Sequence, residues 1–345
     1  MKVYYSFLIM FCIFIPAICS AVTVIEPDAF CGEGNCVGLG YKWSGLTVQI
    51  TSPGEYAFSN GEFPDAFSVD VDSQGVTLDG EGVILSEIDG DKTLNLKNIN
   101  IIKESGGAAI TACNNIENSS IVVTSSSGGI TGIEELHGNI DDTTTISVTS
   151  QQTVRGIGTV KNGATISGGE FTVTSQEGQA QGVNNLFGAI SGGEFTVTGQ
   201  TAYLAADVSR DGTISGGMFT INGQKNVQMI MALYGTISGG EFTVTAQQGP
   251  AEGVYEVHGT ISGGTFTVTS QQDRAFGVKT LYGTISDGKF TVTSQRLATG
   301  VGGVYGGVYG GAFTVKSQQG EAHGVGINYG KVSGGEFTVN SQEDE

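Results

Sequence analysis

Thr165 to Gln176 reads Thr-Ile-Ser-Gly-Gly-Glu-Phe-Thr-Val-Thr-Ser-Gln, and the reading of this stretch decides the fold because the chain repeats it. Its phenylalanine returns as Phe195, Phe219, Phe242, Phe266, Phe290, Phe313 and Phe337, at steps of 24, 24, 23, 24, 24, 23 and 24 residues. Self-similarity at a fixed period of 20–50 residues is the mark of a stacked repeat architecture. Two residues after each phenylalanine stands Val173, Val197, Ile221, Val244, Val268, Val292, Val315 or Val339, always with a threonine between. That alternation has the period of a strand, with Phe and Val facing in and Thr facing out. A double glycine precedes the strand, as at Gly168-Gly169 and Gly263-Gly264, with Asp287-Gly288 as the variant. Glycine there permits a sharp turn at positive φ.

A unit of 24 residues cannot bury its own apolar face. Stacked about 4.8 Å from its neighbours, it completes both its hydrogen bonds and a continuous core. Each turn divides into three strands, T-I-S, F-T-V-T and G-V-x-x-L-Y. Fainter coils precede the regular array at Ile99-Asn100-Ile101, Ile121 to Thr124 and Ile146 to Thr149, and Ser68 to Asp72 and Val76 to Gly80 read as the opening coil. The expectation is an all-β, single-chain parallel β-helix of about 12 coils with a 23–24-residue repeat, roughly 55 Å long at that strand spacing. Leucine-rich repeats are excluded by the missing Leu/Asn pattern, and propellers by the shortness of the unit.

Around the array, composition narrows the class. The 345 residues include 56 glycines, and acidic residues outnumber basic ones 34 to 15 for a net charge of −19. A field of that sign repels phosphate backbones, so nucleic acid is not an expected partner. Residues 1–20 hold a basic start at Lys2, an apolar run from Phe7 to Cys19 and small residues at Ser20 and Ala21, the pattern of a secretory signal peptide. An uncleaved anchor is the alternative; no membrane span is expected after cleavage. Residues 21–55 read as an N-terminal cap and lead-in, 56–163 as irregular coils and 164–345 as the regular repeats. In an oxidising compartment Cys31 and Cys36 are candidate disulfide partners. Cys113 has no partner and reads as a buried apolar residue.

The stretch from Tyr56 to Leu85 (Y-A-F-S … A-F-S-V-D-V-D-S-Q-G-V-T-L-D-G-E-G-V-I-L), followed by Thr93 to Ile101, resembles the start of right-handed β-helices of the pectin-lyase-like superfamily. The later units resemble repeat arrays of bacterial and archaeal surface β-helix proteins. The resemblance implies right-handed coiling, in keeping with the general rule for parallel crossovers. It implies no particular activity, because many functions share the scaffold.

Three candidate surfaces follow. Thr172, Thr174, Thr196, Thr198, Thr243, Thr245, Thr267, Thr269, Thr291 and Thr293 form a T-x-T grid like those of ice-binding solenoids. Asn222, Lys316 and Asn340 interrupt it, and Glu170, Glu194, Glu241 and Glu336 share its face. Asp70, Asp72 and Asp79 are the best acidic cluster for polysaccharide chemistry, which needs carboxylates paired across coils. Asp141-Asp142 resembles the paired aspartates of polygalacturonases, but that family's companion N-T-D, G-H-G and R-x-K segments are missing. The recurring glutamines, from Gln176 to Gln342, read as an amide ladder at a turn. His137, His258 and His323 sit at non-catalytic slots of the repeat. No zinc spacing, cofactor motif or catalytic nucleophile stands out.

The expected function is therefore a non-enzymatic, secreted or cell-surface solenoid serving adhesion, glycan contact or envelope structure, with glycans or other surface proteins as partners. A polysaccharide-active enzyme and an ice-binding protein are the alternatives. Specificity is expected in the variable stretches, such as Glu177 to Gln179, Thr201 to Tyr203 and Lys225 to Val227, because strands are fixed by stacking and loops are not.

Overall fold

A computed structural model describes residues 22–26, 41–59, 63, 67–81, 83–90 and 92–342. The expected signal peptide, Cys31, Cys36 and the acidic tail Glu343 to Glu345 lie outside the described residues. Among the described residues there is no helix, and the strands stack in parallel as a β-solenoid of about twelve turns.

Most regular coils have the three strands read from the repeat, and in two others the first pair runs together as Thr260–Ser270 and Thr284–Ser294. In one coil they are Thr165–Ile166, Glu170–Ser175 and Gln179–Leu186. Stacked on their equivalents, they form a short wall, a phenylalanine wall and a variable wall. Along the phenylalanine wall the register is unbroken, Phe171 over Phe195, Phe219, Phe242, Phe266, Phe290, Phe313 and Phe337. Toward the N-terminus the same column continues as Ile146, Ile121 and Ile101, which is where the faint early coils join the array.

The stacked rings show what drives this register. Phe171 and Phe195 lie 4.2 Å apart at 3°, Phe266 and Phe290 4.5 Å apart at 5°. A strand spacing near 4.8 Å forces identical rings in one column into offset parallel stacking, which adds to their burial. Valines of the next inward column, Val173 to Val315, are wholly buried.

The two corner glycines are required for different reasons. The second turns at positive φ, 95° at Gly264 and 92° at Gly193. The first leaves no room for a side chain: a Cβ on Gly263 would sit 2.3 Å from the Ser238 carbonyl oxygen. In the irregular coils asparagine does part of this work. Asn98 and Asn118 adopt φ of 52° and 45°, a region asparagine tolerates better than other side chains. Asn118 Nδ2 donates to Asn98 Oδ1 at 2.6 Å, and Asn115 Nδ2 to Asn95 Oδ1 at 3.1 Å.

The corner between the phenylalanine and variable walls differs from expectation. In several coils it is pinned by a buried serine rather than by stacked glutamine amides, while Gly199, Gly223 and Ala246 hold the position in three successive coils between. Ser270 Oγ donates to the Gly249 carbonyl at 2.8 Å and accepts from the Asp273 N–H at 3.0 Å, and Ser175 serves Gly178 in the same way. A hydroxyl can donate and accept at once on a short stem, and a buried backbone group needs that partner more than an exposed amide needs a neighbour.

Stacking begins inside the expected cap. Thr23–Ile25 pairs with Gly54–Phe58, and Thr47–Ile50 with Ser68–Val71. Tyr41–Ser44 returns antiparallel on Thr47–Ile50, and Trp43, Phe58, Phe63 and Phe67 gather there with ring centroids 5.3–6.3 Å apart. In the last described coil the inward positions are open instead. Val332 and Val339 are 37% and 44% exposed, against 0% for Val308 and Val315 one coil earlier.

Candidate functional site

The threonine grid is in register as read. Thr172 stacks on Thr196, Thr220, Thr243, Thr267 and Thr291, and Thr174 on Thr198, Asn222, Thr245, Thr269 and Thr293. Its margin is charged and irregular: Glu170, Glu194, Met218, Glu241, Thr265 and Lys289 form the neighbouring column.

The acidic cluster divides. Asp70 lies on the variable wall, where it accepts from Gln49 Nε2 at 3.4 Å and faces Asp89 across the coils. Asp72 is exposed beyond the strand end. Asp79 lies on the short wall, where Asn98 Nδ2 at 2.9 Å and the Glu81 N–H at 3.3 Å hold it in a turn. The carboxylate that adjacent coils set opposite Asp70 is Asp89, 19 residues on. Thr111 Oγ1 donates to Asp89 at 2.7 Å, and that bond, with the Gly90 N–H and Lys103, holds its carboxyl below the usual range. A general acid needs the opposite displacement.

Asp141 is likewise occupied, taking Thr143 and Thr144 hydroxyls at 2.8 and 3.0 Å. All three histidines pair with a glutamate two residues earlier, at 3.0 Å for His137–Glu135 and His323–Glu321 and 3.3 Å for His258–Glu256. Lys161 and His137 together keep the Glu135 carboxyl low. His258 stacks between Tyr234 and Tyr282 in an exposed corner ladder that runs on to Tyr305 and Tyr329, with centroids 4.7–5.3 Å apart. Rings stacked on each other offer solvent their edges, not their faces. Among the described residues no group of acidic, histidine or cysteine side chains could hold a metal ion. Cys113 is buried, and burial pushes its thiol far up, as an inert core residue requires.

On the variable wall the outward chemistry changes from coil to coil while the backbone stays in register. One column runs Arg155, Gln181, Tyr203, Gln228, Glu252, Phe276 and Thr299. These residues are polar or aromatic, yet Gln181 is 3%, Tyr203 6% and Glu252 2% exposed. Tyr203 is buried but stands outside the continuous core. It is covered on the outside of the wall, in a fold of its surface. Three positions further along each strand lie Met231, Tyr255 and Lys279, and the two sets meet. Lys279 Nζ reaches Glu252 Oε1 at 2.7 Å and sits 4.4 Å from the centre of the Tyr255 ring. Gln228 Nε2 also donates to Glu252. On the N-terminal side Arg155 Nε donates to Gln181 Oε1 at 2.9 Å, and Gln181 Nε2 to Gln179 Oε1 at 2.9 Å. Burial raises the Tyr203 hydroxyl above its ordinary pKa.

Above this network opens a depression of about 470 Å³, lined by Gln179, Thr201, Tyr203, Asn226, Glu252 and Tyr255 among others. Gln179, Thr201, Tyr203 and Asn226 come from the variable stretches where specificity was expected. The sequence did not reveal that Glu252 and Lys279, 27 residues apart, would join them; the repeat length of about 24 plus a three-residue offset was the available signal. A larger depression, about 850 Å³, follows the double-glycine corner from Gly193 to Ala312. Corner glycines form its floor, and Met218, Glu241, Thr265, Asp287, Lys289 and Ala312 flank it.

No family model, no curated protein and no solved structure matches the chain. The class of protein defined here is thus a parallel β-solenoid of about twelve turns.

Proposed function

We propose that the protein is a non-enzymatic, secreted or cell-surface solenoid whose variable wall contacts a glycan, in an adhesive or envelope role. One observation carries this reading: unlike side chains over Tyr203 and Tyr255 that are tied to one another by hydrogen bonds and an ion pair, on a molecule whose inward columns are self-similar. Stacking alone favours like over like, as the phenylalanines do. A column that departs from self-similarity and is still locked by Arg155–Gln181 and Glu252–Lys279 bonds is preorganised, which is what a binding surface requires. Amides, tyrosines and a paired charge in a shallow depression match a polyhydroxylated ligand better than an apolar one. The low carboxyl of Asp89 and the turn roles of Asp79 and Asp141 support a non-catalytic reading of the acidic residues.

A glycan array with the full chain, combined with surface fractionation of the native protein, tests this. Binding that Tyr255→Ala removes, together with an extracellular or surface pool, is the expected result. Degradation of polyuronates lost on Asp70→Asn and Asp72→Asn, or thermal hysteresis lost on Thr267→Lys, would replace the reading with the enzymatic or the ice-binding one.

A further inference from the structure

We infer that the depression over Tyr203 and Tyr255 selects an uncharged carbohydrate chain, and that it does so although the protein as a whole is strongly acidic; this rests on the glycan-contact reading above. The lining holds one acid and one base, and they neutralise each other, Lys279 Nζ lying 2.7 Å from Glu252 Oε1. Glu252 is 2% exposed and also takes Gln228 Nε2, so its oxygens are committed. The ammonium of Lys279 is committed as well, between Glu252 and the Tyr255 ring. A uronate or sulfate group would find no cation in the lining that lacks an anionic partner. It would be drawn out of water beside a buried carboxylate, on a chain of net charge −19. A cationic sugar would find no free anion.

What remains in the lining is Gln179, Asn226, Gln228, Thr201, two tyrosines, Met231 and Pro250. Primary amides and hydroxyls both donate and accept, which matches sugar hydroxyls of either orientation. A peptide that binds by adding a strand would need a free strand edge to pair with. Here the edges of every variable-wall strand from Val154 to Val304 are taken by the coils above and below, so backbone pairing is closed to it.

The test is titration calorimetry on the full chain with neutral hexose and pentose oligosaccharides, oligouronates and an uncharged Ser/Asn-rich peptide, each at about 50 and 500 mM salt. Expected is binding of a neutral oligosaccharide with less than about twofold change between the two salts, since no ion pairing contributes. Tyr255→Ala should weaken it at least tenfold and Asn226→Ala severalfold, while Thr267→Ala on the phenylalanine wall leaves it unchanged. Asn226→Ala serves as the second site variant should Tyr255→Ala lower the thermal midpoint. Binding confined to oligouronates, or falling steeply with salt, overturns the charge selectivity and leaves the glycan reading intact. Neutral binding that survives both site variants overturns the location. Binding of the peptide alone, or of nothing, overturns both this inference and the glycan reading.

Discussion

The phenylalanine wall and the variable wall belong to the same coils and share the same register, yet one repeats its side chains and the other changes them. On the first wall two inward columns repeat, one of phenylalanine rings and one of branched aliphatics, and stacking satisfies them from above and below. On the second, the inward positions repeat too, as Val183, Ala205, Ile230, Val254 and Val278, all fully buried. The outward columns depart, among them the one from Arg155 to Thr299. The difference teaches that the core of a solenoid specifies the scaffold, while order among dissimilar outward residues must come from specific hydrogen bonds and charge pairs.

Four substitutions break or sharpen this contrast. The largest effect is expected from Phe266→Ala, which opens a hole between Phe242 and Phe290, rings 4.8 and 4.5 Å away. A loss of about 3–5 kcal/mol by denaturant unfolding is expected, and a loss under 1 would mean that the stack is not what holds the wall. Glu252→Ala, on the other wall, strands Gln228 and Lys279. About 1–3 kcal/mol is expected, with a double-mutant cycle against Lys279→Met showing coupling; additive effects would argue that the pair is incidental. Asp207→Asn should raise the thermal midpoint slightly at pH 7. One Asp207 carboxylate oxygen is buried without a partner, and desolvation lifts its pKa. A raised folded pKa means that protonation favours the fold, so the charged form weakens it at neutral pH, and the advantage of asparagine should vanish near pH 3. A constant difference across that range would refute this origin. Thr267→Lys, in the half-exposed grid, should change stability by less than about 0.5 kcal/mol, measured the same way.

The repeat was legible because the column rule is local: a residue's neighbours in space are those one period away in sequence. That rule extended correctly from Phe171 back through Ile146, Ile121 and Ile101. It failed where coils change length. Asp70 and Asp79 stand on different walls, and a short 19-residue opening coil sets Asp70 opposite Asp89. It also failed at the serine corner. The recurring glutamines drew attention as amides, but burial, which sequence does not display, gave the structural task to Ser175 and Ser270.

Sequence by itself determined the coil period, the three strands per turn and the identity of the inward columns, since each follows from alternation and repetition within a few dozen residues. Only the tertiary structure decided that Tyr203, Glu252, Tyr255 and Lys279 share one depression. Their meeting depends on side-chain contacts between neighbouring coils, such as that of Lys279 Nζ with Glu252 Oε1, which no periodicity encodes.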